Sequence, residues 1–211
     1  MTEIKKAKKD NFWIYFFIFC VIPILIRSFF IDWYRVPSYS MMPTIDKGNY
    51  IFINKNAYSL RIPLTNINLL RWGVPERGDI VVFSDPENKN SFLVKRVIGL
   101  PGDIINIKDS KVSINGKESQ YIDSTAKQMV PGQKQIAFLE TLPTGQKEVI
   151  LKTLTEIEYP KGMNNGRNAG SFKVENDKIF LMGDNRDNSF DSRYIGTIDI
   201  NSVVGKVIKI Y

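Results

Sequence analysis

Ser38, Ser40 and Lys95 are the side chains from which a reaction could be built. Ser40 lies in the short polar turn Pro37-Ser38-Tyr39-Ser40-Met41-Met42-Pro43-Thr44, just after a long apolar segment. A serine hydroxyl attacks a carbonyl only when a neighbouring base takes its proton. The chain has no histidine, which removes a Ser-His-Asp triad, a Cys-His pair and the H-E-x-x-H zinc motif together, since each needs imidazole. Lysine is the remaining base, and Lys95 stands 55 residues further on, inside the apolar run Phe92-Leu93-Val94-Lys95-Arg96-Val97-Ile98. To act it must be neutral, although a free lysine titrates near 10.4. Depressing that value by about 2 to 3 units requires roughly 3 to 4 kcal/mol, which burial among apolar strands can supply. Arg96 is expected on the opposite face of the strand. Ser38, two residues before Ser40, falls on the same side in extended structure. Each residue also has a plainer reading: Ser40 as a turn serine, Lys95 as a strand lysine reaching for solvent.

Four segments carry a resemblance. Ser40-Met41-Met42-Pro43-Thr44, Arg77-Gly78-Asp79-Ile80-Val81-Val82-Phe83, Lys95-Arg96-Val97-Ile98-Gly99-Leu100-Pro101-Gly102-Asp103 and Gly183-Asp184-Asn185-Arg186-Asp187-Asn188-Ser189-Phe190-Asp191-Ser192-Arg193-Tyr194-Ile195-Gly196 resemble, in order, the boxes of a type I signal peptidase, the bacterial leader peptidase of the S26 family with a Ser-Lys dyad. Tyr39 departs from the pattern, where many relatives carry a smaller residue between the two serines. The resemblance implies Ser40 as nucleophile and Lys95 as base, with Ser38 and the Ser40 N–H donating to the oxyanion. It implies further that Ser189 bonds the lysine amine. It also implies that the signal peptide adds as an extended strand along edges near Tyr34 to Ser38 and Val82 to Phe83, with Leu93 and Val94 opposite. A pocket at Tyr34, Val36, Pro37, Met41, Val82, Leu93 and Val94 would accept only small residues at P1 and P3. Asp191 with Arg193 reads as an ion pair shaping the site, and Asp184 as a further support, with Arg186 and Arg193 as the partners of the acidic residues.

Those residues need a platform and a location. Lys5, Lys6, Lys8 and Lys9 precede an uninterrupted apolar run from Phe12 to Ile26. Extended to Ile31, the run reaches about 30 Å as a helix, the thickness of a bilayer core. A cleavable signal peptide is the alternative. No small-x-small site follows, however, and Phe29, Phe30, Ile31, Trp33 and Tyr34 suit an interfacial belt. The expectation is a cytoplasmic N-terminus over 1–11, a transmembrane anchor over 12–31 and an extracytoplasmic catalytic domain over 32–211, in a bacterial inner membrane. The domain is expected to be mainly β, a mostly antiparallel sheet with a smaller β subdomain inserted at about 113–173. Strands are expected at 49–54, 79–83, 133–139, 148–154, 178–182 and 203–211, and a hairpin at 103–108 with 111–114. Residues 57–76 look irregular, either a loop packed on the core or a surface dipping into the bilayer.

Composition bounds the partners. The net charge is +7 and the pI about 9.3, but the lysines are scattered rather than gathered in a stripe. Anionic lipid therefore fits better than nucleic acid. Cys20 is the single cysteine and lies in the apolar segment, so neither a disulfide nor a thiolate cluster is available. Asp184, Asp187 and Asp191 lack the glycine and distal glutamate of a calcium loop, and no metal or cofactor is expected. Arg77-Gly78-Asp79 reads as the entry turn of a strand. A monomer acting on signal peptides of exported preproteins is the expectation. A dedicated processing peptidase and a silent membrane-tethered β domain remain alternatives.

Overall fold

The computed structural model describes residues 11–61, 68–88, 91–108, 111–123, 135–153 and 169–211. The lysine-rich start, Asp109-Ser110 of the Lys-Asp-Ser turn, Pro131-Gly132 and Met163-Asn164-Asn165-Gly166 lie outside these residues. Helix α1 (Phe12–Phe29) leads into β1 (Ile31–Arg35), β2 (Tyr50–Asn54), and the pair β3 (Ser59–Arg61) and β4 (Asn68–Arg71). Next come β5 (Ile80–Ser84), β6 (Phe92–Gly99), β7 (Ile104–Lys108), β8 (Lys111–Ile114), β9 (Lys117–Glu118) and β10 (Gln120–Asp123). The chain continues through β11 (Gln135–Thr141), β12 (Lys147–Thr153), β13 (Ala169–Lys173), β14 (Lys178–Met182), the single turn α2 (Ser192–Ile195), β15 (Ile198–Asp199) and β16 (Val203–Ile210).

The strands assemble into a seven-stranded sheet in the order β1-β2-β16-β5-β6-β14-β15, with every pairing antiparallel. Sheets β13-β7-β8-β9 and β10-β11-β12 and the β3-β4 hairpin complete the described strands. Alternation explains why β5 is apolar from Ile80 to Phe83. Val81 and Phe83 enter one core with Val97, Ile179, Leu181, Ile198 and Val203, whereas Val82 enters another with Val36, Met41, Ile45, Ile51, Ile53 and Val204. A third core joins Ile98, Phe180 and Met182 of the main sheet to Ile105, Ile107, Val112 and Ile114 of β7 and β8. Where β16 meets β2 the backbones approach so closely that a Cβ at Gly205 would lie 2.6 Å from the Asn54 carbonyl oxygen. That position admits only glycine.

The expected strands are present with ends shifted by a residue or two, and the three-stranded β10-β11-β12 sheet lies within the expected insertion. Two further expectations are met by the structure only in part. Among the described residues no helix is long and apolar enough to cross a membrane. Moreover, α1 stops at Phe29, because Ile31 already pairs with Asn54 as the first rung of β1. Within 57–76 the described residues include a short hairpin, since Ser59, Leu60 and Arg61 pair with Arg71, Leu70 and Asn68, whereas 62–67 lie outside the described residues and 72–76 are irregular. Leu69, Leu70, Trp72 and Val74 of that hairpin and its exit are exposed rather than packed on the core.

Candidate active site

The central strands converge three segments on one point. The Ser40 turn leaves β1 along Val36, whose N–H donates to the Asn49 carbonyl. Lys95 arrives on β6, and the loop from Gly183 to Asp191 leaves the end of β14. Lys95 Nζ lies 2.8 Å from Ser40 Oγ and donates to the Val94 carbonyl at 3.0 Å. Ser38 Oγ is 3.2 Å from Ser40 Oγ. Ser40 and Lys95 are both buried. Burial lowers the Lys95 amine to a pKa of about 8; the Arg193 guanidinium acts in the same direction, against the pull of the Asp191 and Asp184 carboxylates. Arg96 diverges from Lys95, as strand alternation requires.

The loop beside this pair is held by ionic contacts. Asp191 caps α2 and accepts from the Gly183 N–H at 2.9 Å and from Arg193 Nε and Nη2, each at 2.8 Å. Burial works against its charge, but the Arg193 guanidinium and these donors hold its carboxyl below the usual range. Arg193 also donates to the Arg186 carbonyl, so one pair closes the loop on itself. At Gly183 a Cβ would lie 2.2 Å from Ser189 Oγ and 2.5 Å from the Ser40 carbonyl oxygen, so only a glycine lets the loop pass so close to Ser40.

The family model described as signal peptidase, peptidase S26, matches residues 10–211. This chain belongs to that family. It is 34% identical over 211 residues to a signal peptidase I of Pseudomonas fluorescens, covering 93% of this chain and 70% of the relative. It is 35% identical over 215 residues to one from Rickettsia akari, covering 97% and 80%. The crystal structure of a signal peptidase I from Enterococcus faecalis is 27% identical, with a TM-score of 0.36 over 64% of this chain and 97% of that one. As a member of the S26 peptidases, the chain is a serine peptidase, a hydrolase.

Within this S26 chain several residues sit differently from expectation. Asp184 pairs with Arg96, at 2.8 Å to Nε and 2.6 Å to Nη2, and accepts from the Thr44 hydroxyl. Its partner is thus neither Arg186 nor Arg193. Arg186 instead bonds Glu140 and, at 2.8 Å, Glu148, which are residues of β11 and β12. Glu148 also lies 2.6 Å from Arg96, and the Tyr121 hydroxyl donates to Glu140. Two guanidiniums therefore face three carboxyls out of water. Burial, with Asp184 and Glu140 adding to it against Arg186 and Arg96, pushes the Glu148 carboxyl up to about 8. Ser189 is buried and close enough to Asp191 to help keep that carboxyl ionised, yet it is in hydrogen-bonding geometry with no described group, the Lys95 amine included.

The substrate-facing residues divide. Tyr34, Val36, Met41, Val82 and Val94 share one cluster, but Met41 and Val82 have no exposed surface and can only back a cleft. Leu93 packs against the opposite core, and Pro37 is exposed. Val82 and Phe83 offer no edge, because they pair with Val94 and Leu93 on one side and with Gly205 and Val203 on the other. Near Ser40 and among the described residues, the open edges are those of β1 and of β6 before Arg96, since β14 pairs with β6 only from Arg96 onward. Sequence reasoning missed Asn185, Gln135, Glu140 and Glu148. Asn185 lies in a recognised box with no sign of its role, and the other three stand in a polar stretch without a motif.

Proposed function

We propose that this chain is a membrane-anchored endopeptidase that removes N-terminal signal peptides from exported preproteins, cutting after small-x-small sequences with a Ser40-Lys95 dyad. The observation that carries the proposal is the 2.8 Å approach of Lys95 Nζ to Ser40 Oγ, at an amine that burial brings to a pKa of about 8. As Ser40 Oγ attacks the scissile carbonyl, the neutral amine accepts its proton. The developing oxyanion accepts from the Ser40 N–H and the Ser38 hydroxyl, where one lost donor typically costs about 2.7 to 4 kcal/mol. The ammonium then protonates the leaving amine. Water, deprotonated by Lys95, cleaves the acyl-enzyme.

The substrate strand enters between the open edge of β6 at Phe92–Val94 and residues 34–38, so that backbone pairing supplies affinity and shallow side pockets supply selection. Val36 and Val94, backed by Met41 and Val82, leave room for small side chains only. Attachment through α1 is supported by Phe12, Trp13, Ile14, Tyr15, Phe16, Phe17 and Phe19, which are exposed on every side of its first two turns, a pattern that requires an apolar partner. The cytoplasmic N-terminus follows from the lysines before the helix. The test is a cleavage assay in detergent micelles on several unrelated preproteins. Wild type should cut each after its small-x-small site, and Ser40→Ala, Lys95→Ala and Lys95→Arg should cut none, since a guanidinium keeps its proton. Turnover by Ser40→Ala would overturn the dyad, and cutting of one preprotein alone would make this a dedicated peptidase.

A further inference from the structure

The peptide units on either side of Ser40 are both held by one residue. The Asn185 N–H donates to the Ser40 carbonyl at 3.0 Å, and Asn185 Nδ2 donates to the Tyr39 carbonyl at 3.1 Å. The Tyr39 carbonyl belongs to the same planar unit as the Ser40 N–H and points the opposite way across a trans bond. Fixing that carbonyl therefore fixes the direction of the N–H. Only the nitrogen of an amide can face a carbonyl oxygen, so Asn185 Oδ1 is turned away. There it accepts from Gln135 Nε2 at 2.9 Å. Gln135 opens β11 of the subdomain sheet, and both side chains are buried.

We propose that Asn185 is a positioning residue for the oxyanion donor, and that Gln135 sets the orientation of its amide, so that the inserted subdomain tunes the hydrolytic step without touching substrate. The proposal rests on the reading of Ser40 as nucleophile and its N–H as oxyanion donor. A donor works only if it is aimed before the charge develops, and a displacement of about 1 Å can cost 10²-fold. Ground-state peptide binding uses strand edges and does not need this aim.

The experiment compares Asn185→Ala, Gln135→Glu and Ser40→Ala with wild type in micelles on one signal-peptide substrate. Three quantities are read: kcat and KM separately, the pH midpoint of the rate, and affinity for a peptide boronate that forms a tetrahedral adduct. Asn185→Ala should lower kcat by about 10- to 100-fold and weaken the boronate in parallel, with KM within about twofold and the pH midpoint unmoved. Gln135→Glu keeps the shape of the side chain but replaces the donor by an acceptor, which favours the flipped Asn185 amide and aims its oxygen at the Tyr39 carbonyl. It should lower kcat by about 10-fold with the same selectivity, and it decides the matter if Asn185→Ala does not fold. Wild-type kcat in either folded variant, or a loss confined to KM, overturns the proposal while leaving the dyad in place. Activity in Ser40→Ala overturns the dyad and this inference with it.

Discussion

Lys95 is a group the fold would be more stable without. Its amine falls from the ordinary 10.5 to about 8 on folding, mainly through burial. Between those values the unfolded chain binds a proton that the folded chain does not, so stability rises with pH across that window. Below about 8 the full cost, on the order of 3 kcal/mol, is present. Lys95→Met should therefore be inactive yet melt several degrees higher than wild type at pH 7, with the gain shrinking toward pH 10.5. Calorimetry at the two pH values checks this, and an equal or lower melting temperature at pH 7 would show the amine to be stabilising. As the proposed base, the same group should make kcat/KM rise with pH through a midpoint near 8, and a flat profile would remove Lys95 as the titrating base. Gly183→Ala forces a methyl group onto Ser189 Oγ and the Ser40 carbonyl. It should abolish turnover and lower the melting temperature, as activity and thermal scans would read.

At the scale of elements, the subdomain strands are docked on the catalytic loop by charge rather than by apolar packing alone. Glu148, raised to about 8 from 4.5, keeps a proton on folding that the unfolded chain releases above the lower value. This contribution to stability is complete at low pH and is lost as pH rises from about 4.5 to 8. Glu148→Gln, neutral at every pH, should flatten the fall in melting temperature over that range, and an unchanged slope would mean that Glu148 is ionised in the folded protein. None of this was legible beforehand. Arg186 and its partners lie 46 and 38 residues apart, and Arg96 lies 88 from Asp184, so the acidic loop looked self-paired. Asp191 with Arg193 was legible because the partners are two residues apart. Strands such as β14 and β16 were legible from continuous β-branched and apolar runs. The β3-β4 hairpin was not, because its strands of three and four residues are too short to show a period.

For the whole molecule, the approach of Lys95 to Ser40 was legible because no imidazole exists to compete and because one serine turn and one apolar lysine strand match a known family in order. The direction of the cleft was not, since which strand edges stay open depends on pairings such as β16 with β5 that join distant segments. The proposed membrane attachment is tested at this scale too. With apolar side chains exposed around α1 and on the β3-β4 hairpin, the chain should stay with the lipid pellet after alkaline carbonate extraction of cells that express it. Release into the supernatant would refute an inserted α1.

Strand β16, Val203–Ile210, lies between β2 and β5. Within the seven-stranded sheet the β1-β2 ribbon that leads into the Ser40 turn is thus joined to β5 and β6 through a segment made more than a hundred residues after Lys95. A ribosome synthesising this chain holds an unassembled hydrolase until that segment emerges. Arrested nascent chains that end before Val203 should fail to label with an acylating peptide, and those that expose Ile210 should label.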